Sequence, residues 1–180
     1  MEAIVYIAQS LDGFIADQNG GLEWLNTIPN PSGSDYGFAA FMANIDAVVM
    51  GRNTFETVAT FEGWPYVKPV FVVSRSLDQL PAKYDGKASL LSLEPAAIMA
   101  HLGSLGLDRL YIDGGSLIQS FLKASLIDQL IITTVPIILG AGTPLFSDHG
   151  VRSHWRLTNS EILNNALIKT TYTKASGNPG

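Results

Sequence analysis

Residues 108–121 read DRLYIDGGSLIQSF, a short apolar run that meets two glycines and then changes period. Leu110, Tyr111 and Ile112 suit a buried strand, whereas Leu117, Ile118, Phe121 and Leu122 recur at the three-to-four spacing of one helix face. The pattern therefore predicts strand, tight turn, helix. Gly114 and Gly115 supply the turn, because a residue without a Cβ takes backbone angles closed to others and lets a neighbour approach the main chain. Unpaired N–H groups and the positive end of the helix dipole would face whatever lies above the glycines. That environment suits an anion such as a dinucleotide pyrophosphate. A plain packing turn is the other reading of the same glycines.

Working outward, DAVVMGRNTFETV repeats the pattern: a strand over 47–50, Gly51, then a helix over 54–58. PVFVVSR (69–75) is a third strand, with Ser74 and Arg75 at its carboxyl end. Ahead of these, AIVYIA (3–8) reads as a buried strand, SLDGFIADQNGG as a long loop, and 34–45 as a helix capped by Ser34 or Asp35. Residues 130–139 read as one long buried strand. Residues 155–163 and 165–173 form an antiparallel pair, and 175–180 a frayed tail. Strands alternating with helices predict an α/β fold, with a mostly parallel sheet, helices on both faces and an antiparallel carboxyl-terminal edge. The loops 51–54, 74–76 and 113–116 then share the carboxyl ends of parallel strands, where open α/β sheets bind ligands. Gly51, Arg52, Thr54, Ser74 and Arg75 together offer close approach, fixed charge and hydroxyl donors suited to phosphate.

Bulk properties narrow the classes. The 180 residues suffice for one domain, taken as 1–174, and 47% apolar against 15% charged residues argues for a filled interior. A net charge of −5 excludes an electrostatic footprint for nucleic acid, so small molecules are the expected partners. Cysteine is absent, which suits a reducing, cytoplasmic setting and removes thiolate chemistry. No apolar run approaches the roughly 18 residues of a membrane span. His149 and His154 lack a third ligand at metal-like spacing, so no metal is expected. A full G-x-G-x-x-G fingerprint is missing, and Gly140-Ala141-Gly142 reads as a turn.

VVMGRNTFE, FVVSR and LYIDGGSLIQSFL, in this order and with SLDGFIA after the first strand, resemble the dihydrofolate reductase-like superfamily. The stretch from Gly114 to Phe146 is similar to its riboflavin biosynthesis reductase branch. The resemblance implies a three-layer fold and NADPH-dependent hydride transfer to a pteridine or pyrimidine-type substrate, with dimers built through the sheet. It places the nicotinamide against Ala8, Ile15 and Ala16, and the adenosine 2′-phosphate near Arg52, Ser74 and Arg75. The pyrophosphate would lie against Gly51, Arg52, Thr54, Gly114, Gly115 and Ser116, with Asn53, Asp113 and Leu117 completing the cofactor set. It also implies a cis peptide beside Gly114.

Two carboxylates are candidates for catalysis. Asp35 falls where the family keeps a buried acid on the helix before the GR motif, and burial would raise its pKa and let it share a proton with a substrate ring. It is equally a helix cap. Asp12, in SLDG, belongs by resemblance to the active-site loop, while Asp-Gly is also an ordinary turn. Two rival classes remain: a nucleotide or pterin-binding protein without turnover, and a structural dimerising domain.

Overall fold

The computed structural model describes residues 1–147, 150 and 152–175. An eight-stranded sheet forms its middle layer, in the order β5-β4-β3-β6-β1-β7-β10-β9. These strands are β1 (Glu2–Ser10), β3 (Ala47–Gly51), β4 (Val70–Val73), β5 (Ala88–Leu91), β6 (Arg109–Asp113), β7 (Gln129–Val135), β9 (Trp155–Leu163) and β10 (Leu167–Lys174). The first six strands in space run parallel, and β10 and β9 close the edge antiparallel. Asn164 and Asn165 both take left-handed angles, φ 51° and 53°, and turn β9 into β10. Such a pair matches the right-handed twist of a hairpin.

Alternation along the parallel strands sends side chains to two separate cores. Ala3, Val5, Val49, Ile112 and Ile132 face α3 (Pro95–Ser104) and α4 (Gly115–Lys123). Ile4, Val48, Met50 and Tyr111 face α1 (Phe38–Ala43) and α2 (Arg52–Val58). Both sheet faces are thus covered, which is why β3 and β6 read as continuous apolar runs. α4 carries the most one-sided helix pattern, with Leu117, Ile118, Phe121 and Leu122 all buried.

Three local expectations are corrected. The SLDGFIADQNGG segment is not loop throughout: Phe14–Asp17 forms β2, which pairs with β8 (Gly142–Pro144) in a separate ribbon. The strand expected over 130–139 stops at Val135, because Pro136 has no N–H to continue the ladder, and Ile138 turns 72% exposed to solvent. No cis peptide occurs among the described residues. Gly114 makes the turn on trans peptides by taking φ 93°. Ala175 donates its N–H to the His154 carbonyl, continuing the β9–β10 pairing. The rest of the expected tail, 176–180, and His149 lie outside the described residues. No described helix is long and apolar enough to cross a membrane.

Phe121 is fully buried between α4 and the sheet. Replacing Phe121 with Ala is expected to lower the unfolding free energy by about 3–5 kcal/mol, measured by urea denaturation.

Candidate active site

β3 and β6 are neighbours with Met50 level with Asp113, so the crossings that follow them, at Gly51 and Gly114, stand side by side. They also interlock. A Cβ on Gly114 would collide with the Thr54 hydroxyl and lie 3.7 Å from the Gly51 nitrogen. The first i→i−4 bond of α4 runs from the Ile118 N–H to the Gly114 carbonyl at 2.9 Å. The N–H groups of Gly115, Ser116 and Leu117 therefore have no partner one turn back along the helix. Ser116 is exposed beside them, whereas the Leu117 side chain is buried in the core, so only its main chain can face a ligand. Gly51 leaves open room above, its nearest neighbour being the Leu117 Cβ at 3.9 Å.

The β4 crossing completes the rim. Ser74 is buried, and its hydroxyl accepts the Ser76 and Leu77 N–H groups, which orders the turn. Arg52 reaches this turn, donating from Nη1 to the Ser76 hydroxyl at 3.0 Å and from Nε to Glu56 at 2.6 Å. Arg75 does not join it. Its exposed guanidinium pairs with Glu94, ahead of α3, at 2.8 Å. Asn53 is exposed on α2. Ser76 is the group that the sequence reading left unnamed inside a loop it had marked.

Above the rim lies the β2–β8 ribbon. Ile15 and Thr143 seat directly on Gly115: a Cβ there would stand 2.9 Å from the Ile15 Cδ1 and 3.1 Å from the Thr143 Cγ2. Gly142 packs so tightly on the Ala16 carbonyl that no side chain fits. Ala8 lies further along β1, in a third apolar cluster with Trp24 and Val135. Asp12 ties the ribbon's two connections together. It accepts the Ser10 hydroxyl at 2.6 Å and the N–H groups of Leu139 and Gly140 at 3.1 and 2.7 Å. Those bonds, the Ser10 hydroxyl first, hold its pKa below the ordinary carboxylate value.

Asp35 is exposed, contrary to the expected burial. Its oxygens accept the N–H groups of Gly37 and Ala39, 2.9 and 2.8 Å away, at the start of α1. Those bonds, Ala39 first, lower its pKa instead of raising it. Asp113 has the opposite environment. It keeps part of its surface open, yet sits deep enough among protein atoms that desolvation pushes its pKa to about 6, against the pull of the Gly114 N–H at 2.8 Å and of the Tyr111 hydroxyl. Its charge in turn helps to raise the pKa of Tyr66 and of Tyr111. With its pKa raised to about 6, this carboxyl beside the glycine crossing can exchange a proton closer to neutral pH than an ordinary carboxylate. The sequence reading had placed Asp113 only among cofactor contacts, because a strand-end Asp carries no sign of its burial.

Fold and site together define an α/β domain in which neighbouring strand-to-helix crossings form one rim under a two-stranded flap. A family model for the RibD C-terminal domain matches residues 3–169, and the chain belongs to that family. Its fold superposes on a crystal structure from Shewanella sp. PV-4, of a protein named for riboflavin biosynthesis, with a TM-score of 0.95 and 45% identity over 98% of this chain and 100% of that one. A Thermotoga maritima diaminohydroxyphosphoribosylaminopyrimidine deaminase/5-amino-6-(5-phosphoribosylamino)uracil reductase matches with a TM-score of 0.75 and 15% identity, over 97% of this chain and 56% of that one. Dihydrofolate reductase from Enterococcus faecalis, in complex with NADP(H), matches with a TM-score of 0.67 and 17% identity, over 97% of each chain. The fold is dihydrofolate reductase-like, as the resemblance implied.

The raised pKa of Asp113 fixes the sign of its contribution to stability. The folded state binds a proton more tightly than the unfolded one, so this contribution is largest below pH 3.8 and is lost as pH rises toward about 6. Asp113→Asn should flatten that decline and stabilise the protein at pH 7.5 by about 2 kcal/mol, read from denaturant midpoints across a pH series.

Proposed function

We propose that this protein is an NADPH-dependent reductase that transfers hydride to a pteridine or pyrimidine-type ring. One observation carries the reading: Arg52, Ser74, Ser76 and the free amides of α4 gather on a single rim, beneath a flap whose Ile15 rests on Gly115. A guanidinium flanked by hydroxyls suits a phosphomonoester, and helix-start amides suit a pyrophosphate. The donor set and the open approach over Gly51 therefore fit a phosphorylated dinucleotide. NADPH, when bound, would supply the hydride. Arg52 and Ser76 would hold its 2′-phosphate, Gly115 and Ser116 its pyrophosphate, and Ile15 and Ala16 would keep water from the ring. The reductase names of the Thermotoga and Enterococcus proteins support the reaction class and the heterocyclic substrate.

The proton is assigned to Asp113 in place of Asp35. A carboxyl that titrates near pH 6 can hold a proton on one oxygen and give it to a ring nitrogen, whereas the Asp35 oxygens are committed to capping α1. Asp12 acts as a clasp between the loops and not as an acid. The enzyme works in the cytoplasm as a homodimer, a second copy covering the outer strand β9, where Leu157 and Ile162 are exposed. Sedimentation velocity should show a dimer that Ile162→Lys dissociates, and a wild-type monomer would remove that assignment.

Titrations with NADPH and NADH test the cofactor reading. NADPH should bind at least about tenfold more tightly than NADH, and Arg52→Ala should abolish that preference, a loss of about 1.4 kcal/mol. A flat signal with both cofactors at millimolar concentration would remove the reading.

A further inference from the structure

A second concave site lies at the other end of the sheet from the rim. β4 and β5 run parallel with Val70 level with Ala88, so the segments that enter these two strands stand side by side. Between them is a cavity of about 330 Å³ whose lining includes Trp64, Tyr66, Val67, Lys68, Lys87 and Ser89. The four residues of β4, about 13 Å of strand, separate it from Ser74 and the crossing above. Both entering segments are fixed to the fold. The Pro69 carbonyl accepts the Val48 N–H at 2.9 Å, and the Tyr84 carbonyl accepts the Lys87 N–H at 2.9 Å across a turn in which Gly86 takes φ 73°. Trp64 is braced edge-on by Phe55 at 6.3 Å and tilted against Tyr84 at 5.1 Å, yet it and Tyr66 keep part of their surface open.

The charges here differ from those on the rim. Arg52 and Arg75 are paired with Glu56 and Glu94, and Lys169 with Glu161. Lys68 and Lys87 take part in no ion pair among the described residues, and no carboxylate among those residues lines their cavity. Glu62 and Asp85, the acids nearest in sequence, are exposed, and Asp46, at the same end of the sheet, is committed to the Asp108 and Arg109 N–H groups. Lys83, its ammonium 4.9 Å over the Tyr84 ring, lines the neighbouring cavity and adds to the local positive charge. In a chain of net charge −5, two unpaired ammoniums around such a hollow favour an anion. A phosphomonoester carries about −1.5 to −2 at pH 7, which two ammoniums balance. Val67, 94% exposed, and the two aromatic rings make the rest of the lining suited to a flat ring. A volume near the lower limit for ligand pockets leaves room for one nucleoside, not for a dinucleotide.

The geometry points to a second ligand site, for a nucleoside monophosphate, with Trp64 and Tyr66 against the base and Lys68 and Lys87 on the phosphate. It stands apart from the reductase reading, and a protein that ignores NADPH would keep it. The test is an NMR titration of the isotope-labelled full chain at low salt with 5′-AMP, 5′-GMP and 5′-UMP, with their nucleosides, and with inorganic phosphate. The chain has three tryptophans, so the Trp64 indole N–H signal is assigned by its loss in Trp64→Phe. At least one nucleotide should shift that signal with a Kd below about 1 mM, and its nucleoside and phosphate should each bind about tenfold more weakly or worse. The Lys68→Gln, Lys87→Gln double variant should weaken the nucleotide about tenfold or more, whereas Arg52→Ala, on the rim, should leave the Trp64 response unchanged. No shift of the Trp64 signal, a nucleoside or phosphate binding as tightly as the nucleotide, a response lost in folded Arg52→Ala, or one that survives undiminished in the folded double variant would each overturn the proposal. Comparison of the ligands on the wild-type chain decides alone if a variant fails to fold.

Discussion

The crossing from β6 to α4 is the constraint on which the rest of the structure depends. β6 lies between β3 and β1, so the direction in which its chain leaves the sheet determines whether Leu117, Ile118, Phe121 and Leu122 reach the core. Gly114 turns the chain with φ 93°, an angle that costs a side-chain-bearing residue about 1–3 kcal/mol. It also leaves the space that the Thr54 hydroxyl occupies. The turn at β6 and the first turn of α2 are therefore one packed unit, although 60 residues separate Thr54 from Gly114 in the chain. A bulkier residue would disturb both crossings at once, and with them the rim.

Much of this was legible because the signals are local. Period changes at Gly51 and Gly114 mark strand-to-helix boundaries, and the paired asparagines at 164 and 165 mark a hairpin. What the chain order hides is which loops become neighbours. β2 reads as loop because four residues of strand gain their ladder from β8, more than a hundred positions away. The two acids show the same limit. Asp35 sits at a helix start and could be matched by counting, but its surroundings depend on α1 being short and exposed at its first turn. The raised pKa of Asp113 arises from desolvation by the surrounding protein, which is not apparent from the residues beside it in the chain. Arg75 and Arg52 look equivalent in sequence, yet Glu94 and Ser76 draw them to different partners.

The flap is held by geometry more than by area. β2 and β8 form a short two-stranded ribbon, and an isolated ribbon of that size is marginal in water. It persists because Gly142 admits the Ala16 carbonyl, Gly115 admits Ile15, and Asp12 gathers the Leu139 and Gly140 N–H groups. Each contact joins the ribbon to a different anchor: its own partner strand, the α4 crossing, and the end of the β7 loop. The ribbon is also rooted in the α3/α4 core, against which Ile15 packs and in which Leu145, directly after β8, is fully buried.

Charge divides the rim into two regions, and the division follows from the strand order. The arginines that follow β3 and β4 fall toward the β5 edge, Arg52 beside the Ser76 hydroxyl and Arg75 beside Glu94. Lys169 arises from β10, on the far side of β1 and β7, and its partner Glu161 is set opposite it by the hairpin register. Because β10 enters between β7 and β9, that pair is level with Thr133 and is drawn inward beside Tyr6, while the arginines remain at the surface. Arg52 and Arg75 are paired in their turn with Glu56 and Glu94. All three cations are therefore paired within the chain, the arginines with carboxylates on α2 and just before α3, the lysine across the hairpin, so what distinguishes them is depth: Lys169 is drawn inward and the arginines stay at the surface.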